Sequence, residues 1–268
     1  MTSEATTDAV PEREPGRPGP MPRGRYWTAV VLCVVGIGIL LNLGLWQVDR
    51  LQWKQAIVET IEQRIHSEPV SVAEVDVLAN ETGDVEYVPV TVSGTFLHSG
   101  ERYFLSTSAG QAGWNVHTPL LIEGTSDAIF VNRGFVPYAL RDPATRPEGQ
   151  IEGVTTVTGL ARNASAEKPG GFTPDNDLEG NAFFWRSLDD MAAGLDLPEG
   201  TRLLPFTVDA GPGAAPGGHP IGGTTVIDVP NNHLQYAITW FSLAALMLGM
   251  LVILVVSQAR RRRRPAAG

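Results

Sequence analysis

The chain's most useful chemistry gathers where its second long apolar run begins. His233, Tyr236, Ala237 and Trp240 are spaced at three, four and seven residues, which puts them on one face of a helix. A neutral imidazole is a good iron ligand, an aromatic stripe beside it suits a flat porphyrin, and an ionisable residue at the mouth of a membrane helix is a functional candidate. The same residues also fit an interfacial belt of Tyr and Trp, and from the residues alone the belt is the favoured reading. A second group closes the first apolar run: Trp46, Gln47 and Arg50, then Trp53 and Lys54. Here Gln47 and Arg50 lie one turn apart, and Arg50 and Lys54 suit lipid phosphates.

Enzymatic signatures do not emerge. There is no G-x-S-x-G elbow, no H-E-x-x-H, no C-x-x-C and no P-loop. The glycines at 211, 213, 217 and 218 do not stand between a strand and a helix, so a dinucleotide fingerprint is not supported. His98, His117 and His219 are scattered over predicted strands and loops, and no zinc site is expected among them. The single cysteine, Cys33, excludes an intrachain disulfide or a Cys-based metal site and reads as a small packing residue.

The elements that would position these groups follow from hydropathy. Trp27 to Trp46 holds no charge, and His233 to Ser257 holds no acidic residue, Lys or Arg. About 20 helical residues cross a hydrocarbon core of ~30 Å, and only a helix satisfies the backbone there. A cleaved signal peptide has a shorter apolar core and a small-residue cleavage site, and neither feature is present. The expected organisation is a disordered cytoplasmic tail over 1–24, membrane helices over 25–47 and 232–257, a β-rich extracytoplasmic domain over 48–231, and a basic tail over 258–268. Within the first span Gly36, Gly38 and Gly44 would let a partner helix approach closely.

Val48 to His66 has apolar residues at the spacing of an amphipathic helix that continues or closely follows the first span. Beyond Pro69 the signals turn to strands: Tyr87–Leu97, Arg102–Thr107, Val116–Ile122, Ala128–Asn132, Gly153–Leu160, Phe183–Ser187, Leu204–Asp209 and Thr224–Val229. One short helix is expected at Leu188–Leu195, and Ala210–Gly223 reads as a Gly/Pro-rich loop. The fold class is therefore a membrane protein of α+β type, with two transmembrane helices flanking an extracytoplasmic antiparallel sheet or partly closed barrel that carries one or two short helices.

Charge sets the orientation. Arg23 and Arg25 precede the first helix and Arg260 to Arg264 follow the second, so both termini are expected in the cytoplasm of a bacterial cell. The region between carries 11 basic and 25 acidic residues, which fits a solvated exterior face and argues against nucleic acid as partner. The terminal arginines suit anionic lipid.

These stretches also resemble the Surfeit locus protein 1 (Shy-type) family. The resemblance runs from Leu43, Gly44, Trp46, Gln47, Arg50, Trp53 and Lys54, through Gly113, Trp114, Thr118 and Pro119, to Asn132, Arg133, Gly134, Phe135, Val136 and Pro137. It continues with Gly149 to Gly153, with Phe172, Pro174 and Asn176, with Pro216 to Gly223, and ends on Asn232, His233, Leu234, Gln235, Tyr236, Thr239 and Trp240. Such a member is expected to assist assembly of an aa3-type cytochrome c oxidase, without enzymatic activity of its own. The resemblance implies transient haem a binding with His233 as candidate ligand beside Tyr236 and Trp240, and subunit I of the oxidase, possibly haem a synthase, and membrane lipid as partners. Trp46, Gln47, Arg50, Lys54, Asn132, Arg133 and Gly134 are the family-motif residues. The last three are expected at a strand end before a turn, where Arg133 would pair with a carboxylate or a haem propionate, or bond the loop. A haem-independent scaffold for an assembly intermediate is the alternative; a membrane-anchored hydrolase ranks last.

Overall fold

The computed structural model describes residues 21–165, 167–225 and 231–263, and the chain forms two compact units, Met1–Ala56 with Pro230–Gly268, and Ile57–Val229. In chain order the elements are α1 (Arg23–Ile65), β1 (Val70–Ser71), α2 (Val72–Thr82), β2 (Pro89–Phe96), β3 (Arg102–Ser108), β4 (Gln111–Ile122), β5 (Asp127–Pro137) and β6 (Val154–Asn163). They are followed by β7 (Ala182–Phe183), α3 (Leu188–Ala192), β8 (Arg202–Ala210), β9 (Gly213–Ala214), β10 (Ile221–Gly222) and α4 (His233–Arg262).

The first unit is a pair of helices long and apolar enough to cross a membrane. The apolar run of α1 and that of α4 pack against each other in antiparallel fashion. Gly36 faces Met247 and Gly44 faces Phe241, so closely that an added Cβ would lie 2.8 and 2.6 Å from those side chains. Gly38, expected to serve the same purpose, meets nothing. Ala237 and Ala244 are buried on the α4 side of the seam, which is the small-residue logic of helices that cannot use the hydrophobic effect to associate in lipid. At the far end Gln258 binds the Met21 backbone through both amide atoms, accepting from its N–H (3.1 Å) and donating to its carbonyl (2.8 Å), beside the first turn of α1. The amphipathic segment expected after the first span is its direct continuation, since α1 runs unbroken to Ile65. Residues 1–20 of the expected tail and Arg264 lie outside the described residues; Arg260 to Arg262 belong to the last turn of α4, where cations suit the carbonyl end of a helix.

In the second unit five strands close a ring. β4 pairs with β2, β2 with β6, β6 with β8, β8 with β5, and β5 returns to β4. Leu120 and Leu121 pair with β2 on one side and β5 on the other, so the barrel has no open seam at that level. Strand order with a single parallel pair, β5 with β8, gives the five-stranded Greek-key barrel of the OB type. The sheet is mixed rather than purely antiparallel, because β1–β2 and β3–β7 are parallel as well.

Alternation explains the core. On β2, Val90, Val92 and Phe96 point inward to meet Leu120, Ile129, Val131, Phe206 and Val208. β5 is buried on both faces: Phe130 turns outward onto Phe104, Phe183 and Met191 of α3. That is why its first half, Ala128 to Val131, reads as an unbroken apolar run.

Several expectations are refined or corrected. Of the one or two short helices expected in the domain, α2 is the one without an assigned position; a capping box between Ser71 and Glu74 starts it, Gly83 in the left-handed region stops it, and Val75 packs on the barrel core. The Gly/Pro-rich loop carries two short strands, β9 and β10, paired with each other and, through Ile221, with Phe135 of β5. Thr224 and Thr225 form no strand, and the rest of that expected strand, residues 226–229, lies outside the described residues. The short strand at Phe183–Ser187 is only Ala182–Phe183, and the helix after it ends at Ala192.

Candidate functional site

Within the helix pair, the first turn of α4 meets the middle of α1 through one polar contact. His233 Nδ1 lies 2.7 Å from Gln47 Oε1. An amide oxygen only accepts, so the proton of the neutral ring sits on Nδ1 and the Nε2 lone pair stays uncommitted. Gln47 is itself buried at 8% exposure among apolar neighbours, a costly position for an amide without a partner. Two turns further along α4, the Trp240 indole N–H is buried and bonds no described residue. Of the four residues expected on one face, Ala237 is the one packed into the seam, whereas Tyr236 is 54% exposed on its flank. Trp46 is exposed, and Arg50 lies over the Trp53 ring at 3.7 Å, a cation–π pair that occupies the guanidinium's apolar face.

The other motif residues sit in the barrel, and they are not at a strand end. Asn132, Arg133 and Gly134 fall in the interior of β5, at a β-bulge. Val116 pairs with Gly134 and His117 with Asn132, which leaves Arg133 as the extra residue. The Asn132 side chain accepts from the Gly134 N–H at 3.1 Å and so pins the bulge. Gly134 has φ +116, and a Cβ there would overlap the Ile221 carbonyl, so glycine is required.

The bulge sends two neighbouring side chains into two polar networks. Arg133 joins Glu101, which is 3% exposed. Arg133 Nη1 lies 3.4 Å from Glu101 Oε1; Arg146 grips both carboxylate oxygens, and the Tyr103 hydroxyl donates to Oε2 at 2.8 Å. Arg133 also donates to the Gly149 carbonyl. Burial by itself would raise the Glu101 carboxyl, but His98, Arg146 and Tyr103 outweigh it and hold it at about 2. Burial brings the Arg133 guanidinium down to about 10, opposed by Glu101. Asn132 joins the second network: it donates to Asp209 Oδ1 at 3.0 Å, while Arg162 (2.6 Å) and Thr225 (2.8 Å) hold Oδ2. Arg162 also binds Glu86 at 2.8 Å. Both buried carboxylates are saturated with donors, so they brace the fold and leave no free base. The expected pairing of Arg133 with a carboxylate is thus made inside the protein, by Glu101.

Sequence reasoning missed Glu101, Arg146, Arg162 and Asp209, and it did not join Gln47 to His233. The available signal was charge set into apolar strands, such as Arg133 in FVNRGFV and Asp209 after LLPFTV. Nothing in the spacing of 101, 133 and 146 brings them together.

A barrel domain between two membrane-length helices, with no metal-binding cluster of His, Cys, Asp or Glu among the described residues, defines a membrane-anchored β-barrel protein. The SURF1 family matches residues 34–245. The chain is 37% identical over 243 residues to a SURF1-like protein of Monosiga brevicollis, covering 86% of this chain and 87% of that one. It is 35% identical to Surfeit locus protein 1 of Homo sapiens over 82% of this chain and 73% of that protein, and 36% identical to that of Gallus gallus over 76% and 67%. The chain belongs to the SURF1 family, a family of cytochrome c oxidase assembly factors rather than a class of enzymes.

Proposed function

We propose that this protein, in assisting assembly of an aa3-type cytochrome c oxidase, offers haem a a temporary histidine ligand, His233, on the way to subunit I. The observation that carries the reading is the 2.7 Å contact between His233 Nδ1 and Gln47 Oε1. A ligating histidine needs its other ring nitrogen held by an acceptor, which fixes ring orientation and raises the basicity of the free nitrogen. Gln47 supplies that acceptor. Two turns along the same helix Trp240 brings an unpartnered buried N–H, and Tyr236 adds an exposed aromatic flank, so the residues present fit a flat, partly polar macrocycle. When bound, the haem iron would supply a Lewis-acidic centre that the neutral imidazole of His233 could coordinate. Gln47 orients the imidazole, the seam of Gly36, Gly44, Ala237 and Ala244 keeps the two helices close, and the apolar surface around them excludes water. A site that holds a ligand through one neutral imidazole is suited to release, which transfer to subunit I requires.

The setting proposed is the plasma membrane, with both termini cytoplasmic and the barrel outside; the acidic barrel and the arginines flanking the helices support that orientation. Haem a synthase is the proposed donor and the surrounding lipid the remaining contact. Purification of the full chain after co-expression with haem a synthase tests the reading by absorption spectroscopy. His233→Ala is expected to remove the haem a band, and Gln47→Leu to weaken it with a shifted spectrum. A full band in the His233→Ala protein would refute the ligand role. Co-purification with subunit I and no band in the parent protein would leave a haem-independent scaffold.

A further inference from the structure

Beside the second polar network the barrel domain carries an open cleft of about 330 Å³, within the range of small-ligand sites. Its floor is His117 on β4, 3% exposed, with its ring 4.1 Å from that of Phe104. Neither nitrogen of His117 reaches hydrogen-bond geometry with a described residue. The Asn115 carbonyl is close enough to attract one of them, which leaves the other for a ligand. Two further donors line the same cavity. The Trp185 indole N–H is buried and bonds no described residue. The Arg186 guanidinium forms no hydrogen bond or ion pair with a described residue, although Arg162 next to it is held by two carboxylates. Phe104, Leu105 and Phe184 supply the apolar wall.

Buried polar groups are normally satisfied, and a histidine, a tryptophan N–H and an arginine that all lack partners around one cavity form an exception that calls for an explanation. All three can donate, and one is a cation with a planar fork. Asp209 and Glu86, the carboxylates at hand, spend their oxygens on Arg162, Asn132, Thr225 and the Asn163 N–H. We infer that this cavity binds a small organic carboxylate, its head forked by Arg186 and supported by Trp185 and His117, its body against Phe104 and Phe184. A carboxylate matches the guanidinium in geometry and gives Arg186 the direct partner it lacks, since Asp209 and Glu86 attract it only through space while their oxygens are held by other donors. The site lies wholly within the barrel domain and does not depend on the role given to His233.

Titration calorimetry on the full chain in detergent micelles tests this with benzoate, its neutral isostere benzamide, and inorganic phosphate. Benzoate is expected to bind, benzamide to bind at least about tenfold more weakly, and Arg186→Gln to weaken benzoate by about tenfold or more. Arg202→Gln removes an exposed arginine that pairs with Asp76 and Asp127 elsewhere, and should leave binding unchanged. In the parent protein labelled with ¹⁵N-histidine, benzoate should shift the His117 ring nitrogens. Equal affinity for benzamide, binding of phosphate alone, an unaltered Arg186→Gln, equal loss in Arg202→Gln, or no binding of benzoate would each overturn the inference.

Discussion

Replacing Glu101 by Gln should cost the barrel domain several kcal/mol and remove a defined part of its acid sensitivity. In the native protein the Glu101 carboxylate is buried between Arg133 and Arg146, each 6% exposed. The substitution keeps the shape and leaves two buried guanidinium groups without their anion, a change that costs about 3–5 kcal/mol. The pH dependence gives an independent figure. The folded carboxyl lies at about 2 against an ordinary 4.5, and at about 1.4 kcal/mol per pKa unit this corresponds to about 3 kcal/mol. Because the folded value is the lower one, the stabilisation is complete above pH 4.5 and is lost as the pH falls toward 2. The assay is urea unfolding of the detergent-solubilised chain, followed by the near-ultraviolet signal of the packed Tyr103, Trp114 and Tyr138 rings. Taking the difference between parent and Glu101→Gln at each pH cancels the other carboxylates. The gap should be widest near pH 6 and shrink by about 3 kcal/mol on approach to pH 2. A gap of constant size across that range would refute the assignment of Glu101 as the anion of this cluster.

Two more outcomes follow from the same geometry. His117 is held down to about 4, chiefly by burial and further by Arg186 and Arg162, with Asp209 and the Asn115 carbonyl opposing. The unfolded chain therefore binds a proton that the folded one refuses, and stability should fall by about 3 kcal/mol as pH drops from 6.5 to 4, a limb that His117→Asn removes in the same unfolding assay. Gly134→Ala should destabilise the domain by roughly 3 kcal/mol, since it combines a strained positive φ, ~1–3 kcal/mol, with overlap on the Ile221 carbonyl; thermal unfolding measures it, and an unchanged midpoint would show that β10 can simply move aside.

The sequence by itself determined the parts whose cause is local. Two uncharged runs of membrane length became the apolar stretches of α1 and α4, because hydropathy and length need no tertiary partner to act. The alternating apolar pattern of Tyr87–Leu97 and the β-branched run of Gly153–Leu160 became β2 and β6, since a two-residue period is visible along the chain. His233 and Gln47 each stood out at the end of a run. Even α2 is legible in principle, because Ser71 and Glu74 have the spacing of a capping box and Gly83 that of a helix stop.

What only the tertiary structure decided are the relations across long separations. Helix pairing sets Gln47 against His233, 186 residues away, and with it the tautomer of the ring. Closure of the barrel brings Glu101 to Arg146 and Asp209 to Arg162, and the bulge in β5 turns Arg133 to one network while Asn132 serves the other. One extra residue in a strand shifts which way every later side chain points, and no window of sequence reveals on which strand that residue is spent. The same closure strands His117, Trp185 and Arg186 around one cavity, because burial is a property of the assembled barrel and not of the segments that form it.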